Sequence, residues 1–268
     1  MTTREGARIL FPFYVIMSSP RPVLNINWIE FLKSLLFVFF VCRFEISETC
    51  VTETLNSLLP ILAKILRPLI VFYTKEEVSR TIPKEYMNFK NLRCIIDCTE
   101  FQIQKPKDLK NQAATWSEYK HNNTVKCLVA ITPQGSICYI SELYAGSSTD
   151  KFITKDSRFL DYINPNDKVM ADRGFSLSVE LLARHAELVI PPAAKGTTQM
   201  TSKQVTDTKR VANVRIHVER VIRRLKVFRI LSSTLDNKTL RHANDILFIC
   251  AALTNLQPPI VSNWTVDD

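Results

Sequence analysis

The chain has 268 residues with 35 Lys plus Arg against 26 Asp plus Glu, a formal net charge of +9. With 46% hydrophobic residues, 23% charged residues and only 5 glycines, it is neither collagen-like, low-complexity nor wholly disordered, and it can bury a sizeable core. The basic balance favours a polyanionic partner.

Residues 1–26 hold three prolines and no clean period, and read as an irregular leader. Residues 27–85 read as a helical region. Trp28, Phe31, Leu32, Leu35 and Leu36 step by three and four, and after a break a second helix starts with Ser47 as N-cap and Val51, Leu55, Leu58 and Leu62 as its stripe. Two helices joined by a short turn in a basic protein permit a helix-turn-helix, but any helical hairpin looks the same. The longest apolar run, Leu35 to Cys42, is eight residues, far short of the roughly 20 that span a bilayer. No basic region precedes a small-residue cleavage site, so neither a membrane anchor nor a secretion signal is expected.

From Leu92 the signal turns to short β-like runs. Leu92 to Ile96 ends at Asp97, and Thr124 to Ile131 and Ser136 to Leu143 flank the turn Pro133-Gln134-Gly135. Lys168 to Ala171 ends at Asp172. Helices suit Asp150 to Tyr162 and Leu177 to His185, followed by a short run at Leu188 to Ile190. A hairpin followed by alternating helices and strands implies an α/β fold, a mixed sheet with helices on its faces. After a polar stretch at 191–208, Val211, Val214, Val218, Val221, Leu225 and Phe228 mark the longest helical pattern, and Thr239 to Leu256 a last apolar helix.

Seven scattered cysteines without paired C-x2-C spacing argue against a disulfide framework or structural zinc and for a reducing compartment. Asp97 and Asp172 each close a predicted strand, where an α/β sheet presents side chains to ligand, although a lone Asp there is more often a turn or cap residue. Glu219 is the only acid among residues 209–229, beside eight Lys and Arg. On a helix Arg215, Glu219 and Lys226 fall on one band away from the apolar stripe. This band reads equally as a phosphate-attracting site or as a plain Arg215–Glu219 surface pair. Three converging carboxylates need a cation between them, and Mg2+ with its oxygen preference suits phosphodiester chemistry.

The runs Cys94-Ile95-Ile96-Asp97-Cys98-Thr99-Glu100, Met170-Ala171-Asp172-Arg173-Gly174-Phe175 and Arg215-Ile216-His217-Val218-Glu219-Arg220 resemble the three acidic motifs of the DDE superfamily endonucleases, in the Harbinger-like transposase group. Ala114-Thr115-Trp116-Ser117-Glu118-Tyr119-Lys120, Asn123-Thr124-Val125-Lys126 and Leu253-Thr254-Asn255 are similar to it as well. The resemblance implies an RNase H-like nuclease domain over about residues 90–260, in which Asp97, Asp172 and Glu219 ligate a divalent metal, Mg2+ or else Mn2+. It implies DNA phosphate contacts at Arg215, Lys226, Arg173 and Arg223, and a helix-turn-helix ahead of the core, here degenerate if present. Arg215 and Lys226 match basic positions around the family's glutamate, whereas a tyrosine often found three residues before that arginine is Ala212 here, which puts strand transfer in doubt.

The expected activity is metal-dependent DNA endonuclease in the nucleus, acting on terminal inverted repeats, with a protein partner that supplies DNA targeting and no membrane association. The alternative is a domesticated, catalytically silent DNA-binding or protein-interaction module. Asp207, in a Thr206-Asp207-Thr208 run that suits a helix N-cap, is a rival third ligand; Glu100 and Asp150 are expected to be solvated loop acids, with outer-shell roles as the alternative; and His217 is expected to be exposed or capping. Lys105, Lys107, Lys110, Trp116 and Tyr119 read as a basic, aromatic loop that tracks DNA or merely solvates.

Overall fold

Pairing of alternating apolar strands sets the architecture. The structure is a computed structural model that describes residues 47–83, 86, 89–172, 174–191 and 215–261. The chain divides into two units, Met1–Glu53 and Thr54–Asp268. The expected leader, the first helix of the helical region, Arg173, Asp207 and Ala212 lie outside the described residues.

Helix α1, Glu48–Leu66, begins where expected, with Cys50 N–H donating to the Ser47 hydroxyl. The Leu55, Leu58 and Leu62 row of this helix faces solvent, and Ala63 and Leu59 turn inward instead. Helix α2, Lys75–Arg80, opens on a capping box between Thr74 and Glu77.

Among the described residues the sheet has seven strands: β1 Leu92–Gln102, β2 Trp116–Ser117, β3 Asn122–Ile131, β4 Ile137–Ile140, β5 Tyr144–Ala145, β6 Lys168–Met170 and β7 Glu187–Val189. The path runs β2-β3-β1-β6-β7, with β4 and β5 also paired to β3. The hairpin, the sheet order and the parallel β1–β6–β7 side give the mixed, curled sheet flanked by helices that is compatible with an RNase H-like fold. Gly135 sits in the β3–β4 turn at φ +95°, where a Cβ would be strained.

Several boundaries differ from the predicted ones. Strand β1 continues five residues past Asp97 because every residue from Ile95 to Gln102 has a partner on β3. The predicted basic loop contains helix α3, Leu109–Thr115, capped by the Asp108 carboxylate. Asp150 to Tyr162 is α4, Asp150–Asp156, and a 3-10 turn, Phe159–Tyr162, separated at Arg158 with φ +62°. Helix α5, Ser178–Leu182, is shorter than predicted, and the long basic helix, α6, covers 215–225 of the described residues. A short α7, Arg229–Ser232, and a 3-10 turn, Thr239–His242, precede α8, Ala243–Asn255.

Strand alternation sorts the core into two layers. Ile95, Phe101, Cys127, Val129 and Met170 face one side, where Val218, Val221 and Leu225 of α6 and Ile246, Leu247 and Ala251 of α8 cover them. Cys94, Ile96, Leu128 and Val169 face the other, under Ile153 of α4, Phe159, Leu160 and Leu181 of α5. Among the described residues, no helix is long and apolar enough to cross a membrane.

Candidate active site

β1 and β6 run parallel with Ile95 opposite Met170. Carrying that register two residues further sets Asp172 beside Asp97 on neighbouring strands, and alternation aims both toward the layer covered by α6. Helix α6 buries Val218, Val221 and Leu225, which leaves Arg215, Glu219 and Arg223 on its outer side. The Arg215 guanidinium joins the two elements: Nη1 donates to Asp172 Oδ1 at 2.7 Å and Nη2 to Glu219 Oε1 at 3.0 Å. The pair visible in sequence, Arg215 with Glu219 at i and i+4, is thus one half of a bridge whose other half comes from a strand end 43 residues away.

Asp97 has the least water of the three acids. Burial pushes its pKa up to about 6, despite the Cys98 N–H that donates to Oδ1 at 2.9 Å and the attraction of Arg215. Asp150 and Asp172 push it in the same direction as burial. A buried acid raised by desolvation and by like charges, beside a cleft acid pair, is the pattern of a functional carboxylate. The donors are all oxygens, which fits a hard divalent cation. The placed charges also call for a cation, and Arg215 supplies one between Asp172 and Glu219. Among the described residues no three His, Cys, Asp or Glu side chains stand close enough together to hold a metal ion. The oxygen donors suit a hard divalent metal by type, but as placed they do not form a three-ligand set, and Arg215 stands between the two outer carboxylates.

Lys226 follows the last turn of α6, half-buried, with Nζ 5.5 Å from the centre of the Phe101 ring. Burial lowers its pKa, as does Lys120, while the charges of Glu100 and Asp97 act in the opposite sense. Arg223 and Arg220 are exposed on the outer side of α6, and Arg224 donates to the Pro258 carbonyl.

Two expectations are corrected here. His217 is buried, its ring 5.7 Å from that of Tyr86, because it falls on the inner side of α6 beside Val218 and Val221. Glu100 and Asp150 are not solvated loop acids. Glu100 lies within β1, across from Lys126, and both acids pair with the Lys126 ammonium at 3.4 Å. Glu100 sits three residues from Asp97, on the opposite face of the strand. Lys126 was legible only as part of a family motif; its role as the hub of this ion cluster needs the β1–β3 register.

A cavity of about 740 Å3 is lined by Phe72, Tyr139, Tyr162 and Arg67 along β4, and holds none of the predicted site residues. Asp172 and Glu219 are about half-exposed beside Arg215, whereas Asp97 is largely buried.

The fold is a mixed α/β sheet flanked by helices, compatible with an RNase H-like protein, with Arg215 joining Asp172 and Glu219 beside it. A family model described as DDE superfamily endonuclease matches residues 96–255, and the chain belongs to that family. No curated protein and no solved structure matches the chain. Membership points to a nuclease of transposase descent, whose substrate is DNA and whose family typically uses divalent metals.

Proposed function

We propose that the protein is a divalent-metal-dependent DNA endonuclease that hydrolyses phosphodiester bonds through Asp97, Asp172 and Glu219, within a nuclease domain at about residues 90–260 of Harbinger-like type. The observation that carries this reading is the Arg215 bridge between Asp172 and Glu219, on the same face of the sheet as Asp97. It ties the chain just past a strand end to a helix, so that one guanidinium joins two of the three proposed acids. Mg2+ is the expected ion and Mn2+ a working substitute.

When bound, a divalent cation supplies the Lewis acidity that in-line phosphodiester hydrolysis needs. The chain's own part is positioning and charge. Asp97, fixed by the Cys98 N–H within β1, and Asp172, two residues past the end of the neighbouring β6, would offer oxygen ligands. Glu219 offers a third from α6. Arg215, once released from the carboxylates, and the exposed Arg223 hold backbone phosphates, with Lys226 completing the row on the Phe101 side. Arg173 belongs to the same proposed set of phosphate contacts. The nucleus is the proposed location, with inverted-repeat DNA ends as targets and a protein partner for targeting.

A second reading is favoured by one observation: Arg215 stands between Asp172 and Glu219, where a cation would have to enter, and its single charge offsets part of theirs. On that reading the chain binds DNA without cutting it. Purified protein incubated with supercoiled plasmid, with and without Mg2+ or Mn2+, beside Asp172→Ala, separates the two. Metal-dependent nicking abolished by the substitution supports the nuclease. Retained DNA binding with no nicking by the parent protein supports the silent module. Equal nicking by both proteins refutes the assigned site.

A further inference from the structure

We propose that the turn between β2 and β3 is a second DNA-contacting element that stacks an unpaired base of the strand held at the carboxylates. This rests on the nuclease reading above and adds a substrate preference to it: a duplex with an unpaired stretch beside the scissile phosphate, rather than a blunt, fully paired one.

The turn carries Tyr119, which is 80% exposed, and follows Trp116, which is 38% exposed on β2. Large aromatic side chains are normally recruited to bury area, so a ring this exposed on a well-fixed turn is available to a ligand. The turn is well fixed. Lys120 N–H donates to the Ser117 hydroxyl at 3.2 Å, and Trp116 pairs with Asn123 across the β2–β3 ladder. The side-chain amide of Asn123, buried, donates to Gln112 O and to Thr115 Oγ1, each at 2.9 Å, and so ties the turn to α3.

One face of the Tyr119 ring is taken by the Lys120 ammonium, 4.6 Å from the ring centre, which leaves the other face for a π surface. An ammonium beside an open aromatic face is the pairing that single-stranded nucleic acid sites use, phosphate on the cation and base on the ring. In paired DNA the base faces are covered by their neighbours. Contacts with duplex backbone need cations but no open ring.

The turn also connects to the acidic centre. Phe101 lies four residues along β1 from Asp97, on the same face, about 13 Å away at the usual rise per residue. Lys226 stands over Phe101, close enough to Lys120 and to Asp97 to feel both charges. A strand whose phosphate sits at the carboxylates and whose backbone follows Lys226 therefore reaches Lys120 and Tyr119 within a few nucleotides.

The test uses the full chain as Asp172→Asn, without added metal, so that binding is read without cleavage. Probes are a blunt random-sequence duplex and the same duplex with a single-stranded oligo-dT extension carrying 2-aminopurine. Affinity comes from fluorescence anisotropy and stacking from 2-aminopurine quenching. Expected is tighter binding of the extended duplex with quenching on binding. Adding Tyr119→Ala should weaken that probe alone by about 5- to 100-fold and abolish the quenching, while Tyr119→Phe should keep both. The exposed position of Tyr119 makes a folding defect in these variants detectable as a change in circular dichroism that the proposal does not predict. Unchanged affinity and quenching in Tyr119→Ala overturns the proposal and leaves the nuclease reading standing. Equal weakening of both probes also overturns it, since the turn would then hold duplex backbone. Absence of salt-sensitive binding to either probe defeats the nuclease reading itself.

Discussion

Replacing Asp97 by Asn should stabilise the metal-free protein at neutral and alkaline pH. Burial moves the Asp97 carboxyl from 3.8 to about 6, so the fold prefers it protonated. Below the unfolded value both states hold the proton and no cost arises. As pH rises through the window between 3.8 and about 6 the unfolded chain ionises first, and stability is lost across it. About 2 pK units at 1.36 kcal/mol each give a cost of about 3 kcal/mol as an upper figure, fully present above the folded value. Asn keeps an oxygen to accept from the Cys98 N–H and carries no charge, so Asp97→Asn recovers most of it. Urea denaturation of both proteins in EDTA at about pH 8 and about pH 4 reads the difference. The variant should be more stable at the higher pH, by up to about 3 kcal/mol, and by no more than about 0.5 kcal/mol at the lower, where the unfolded carboxyl is only partly ionised. Mg2+ in place of EDTA should stabilise the parent more than the variant, because a ligand that binds only the folded state adds its binding energy to stability. A variant less stable than the parent at the higher pH, or a difference independent of pH, refutes the idea that a desolvated charge sits at this position.

Arg215→Gln should raise the affinity of DNA-free protein for Mn2+ by about tenfold, because the two half-exposed ion pairs it breaks are worth roughly 1 to 2 kcal/mol together after solvent screening. Titration calorimetry checks this, with Lys226→Gln as the control for loss of a nearby charge outside the bridge; an equal effect of both would refute competition by Arg215. Substituting Arg220 and Arg223 together by Gln should lower the slope of log affinity against log salt for DNA by about 2, without a change in melting temperature. Gly146→Ala should cost about 1–3 kcal/mol or more, since a Cβ there would lie 2.2 Å from Thr124 Oγ1 and 2.6 Å from the Thr115 carbonyl oxygen, and thermal unfolding reads the loss.

Local signals were legible where local physics decides. The Pro133-Gln134-Gly135 turn marked the β3–β4 hairpin, Ser47 marked the start of α1, and the Val218, Val221 and Leu225 spacing marked the buried side of α6. Signals that depend on pairing were not. The first strand read as ending at Asp97, where the apolar run stops, yet β3 continues alongside to Gln102 and Lys126 pairs with Glu100. His217 read as exposed or capping because no other His or Cys lies near it in sequence, and the packing of Tyr86 beside α6 shows it as interior. In the candidate site, Asp97, Asp172 and Glu219 could be named from motif order, whereas the second arm of Arg215, to Asp172, follows from the tertiary fold. Glycine scarcity hid Gly146, whose need is the close approach of Thr124 and of the chain before β2 rather than an unusual φ.

The parallel match of Ile95 to Met170 has a consequence for what this chain tolerates. A single residue gained or lost between Ile95 and Asp97 would carry Asp97 through the sheet into the layer of Phe159 and Leu181. A two-residue change would keep the layer yet displace the carboxylate by about 7 Å along the strand, past its neighbour. Length polymorphism in that short stretch, odd or even, is therefore a more economical marker of an extinct active centre than any count of substitutions elsewhere.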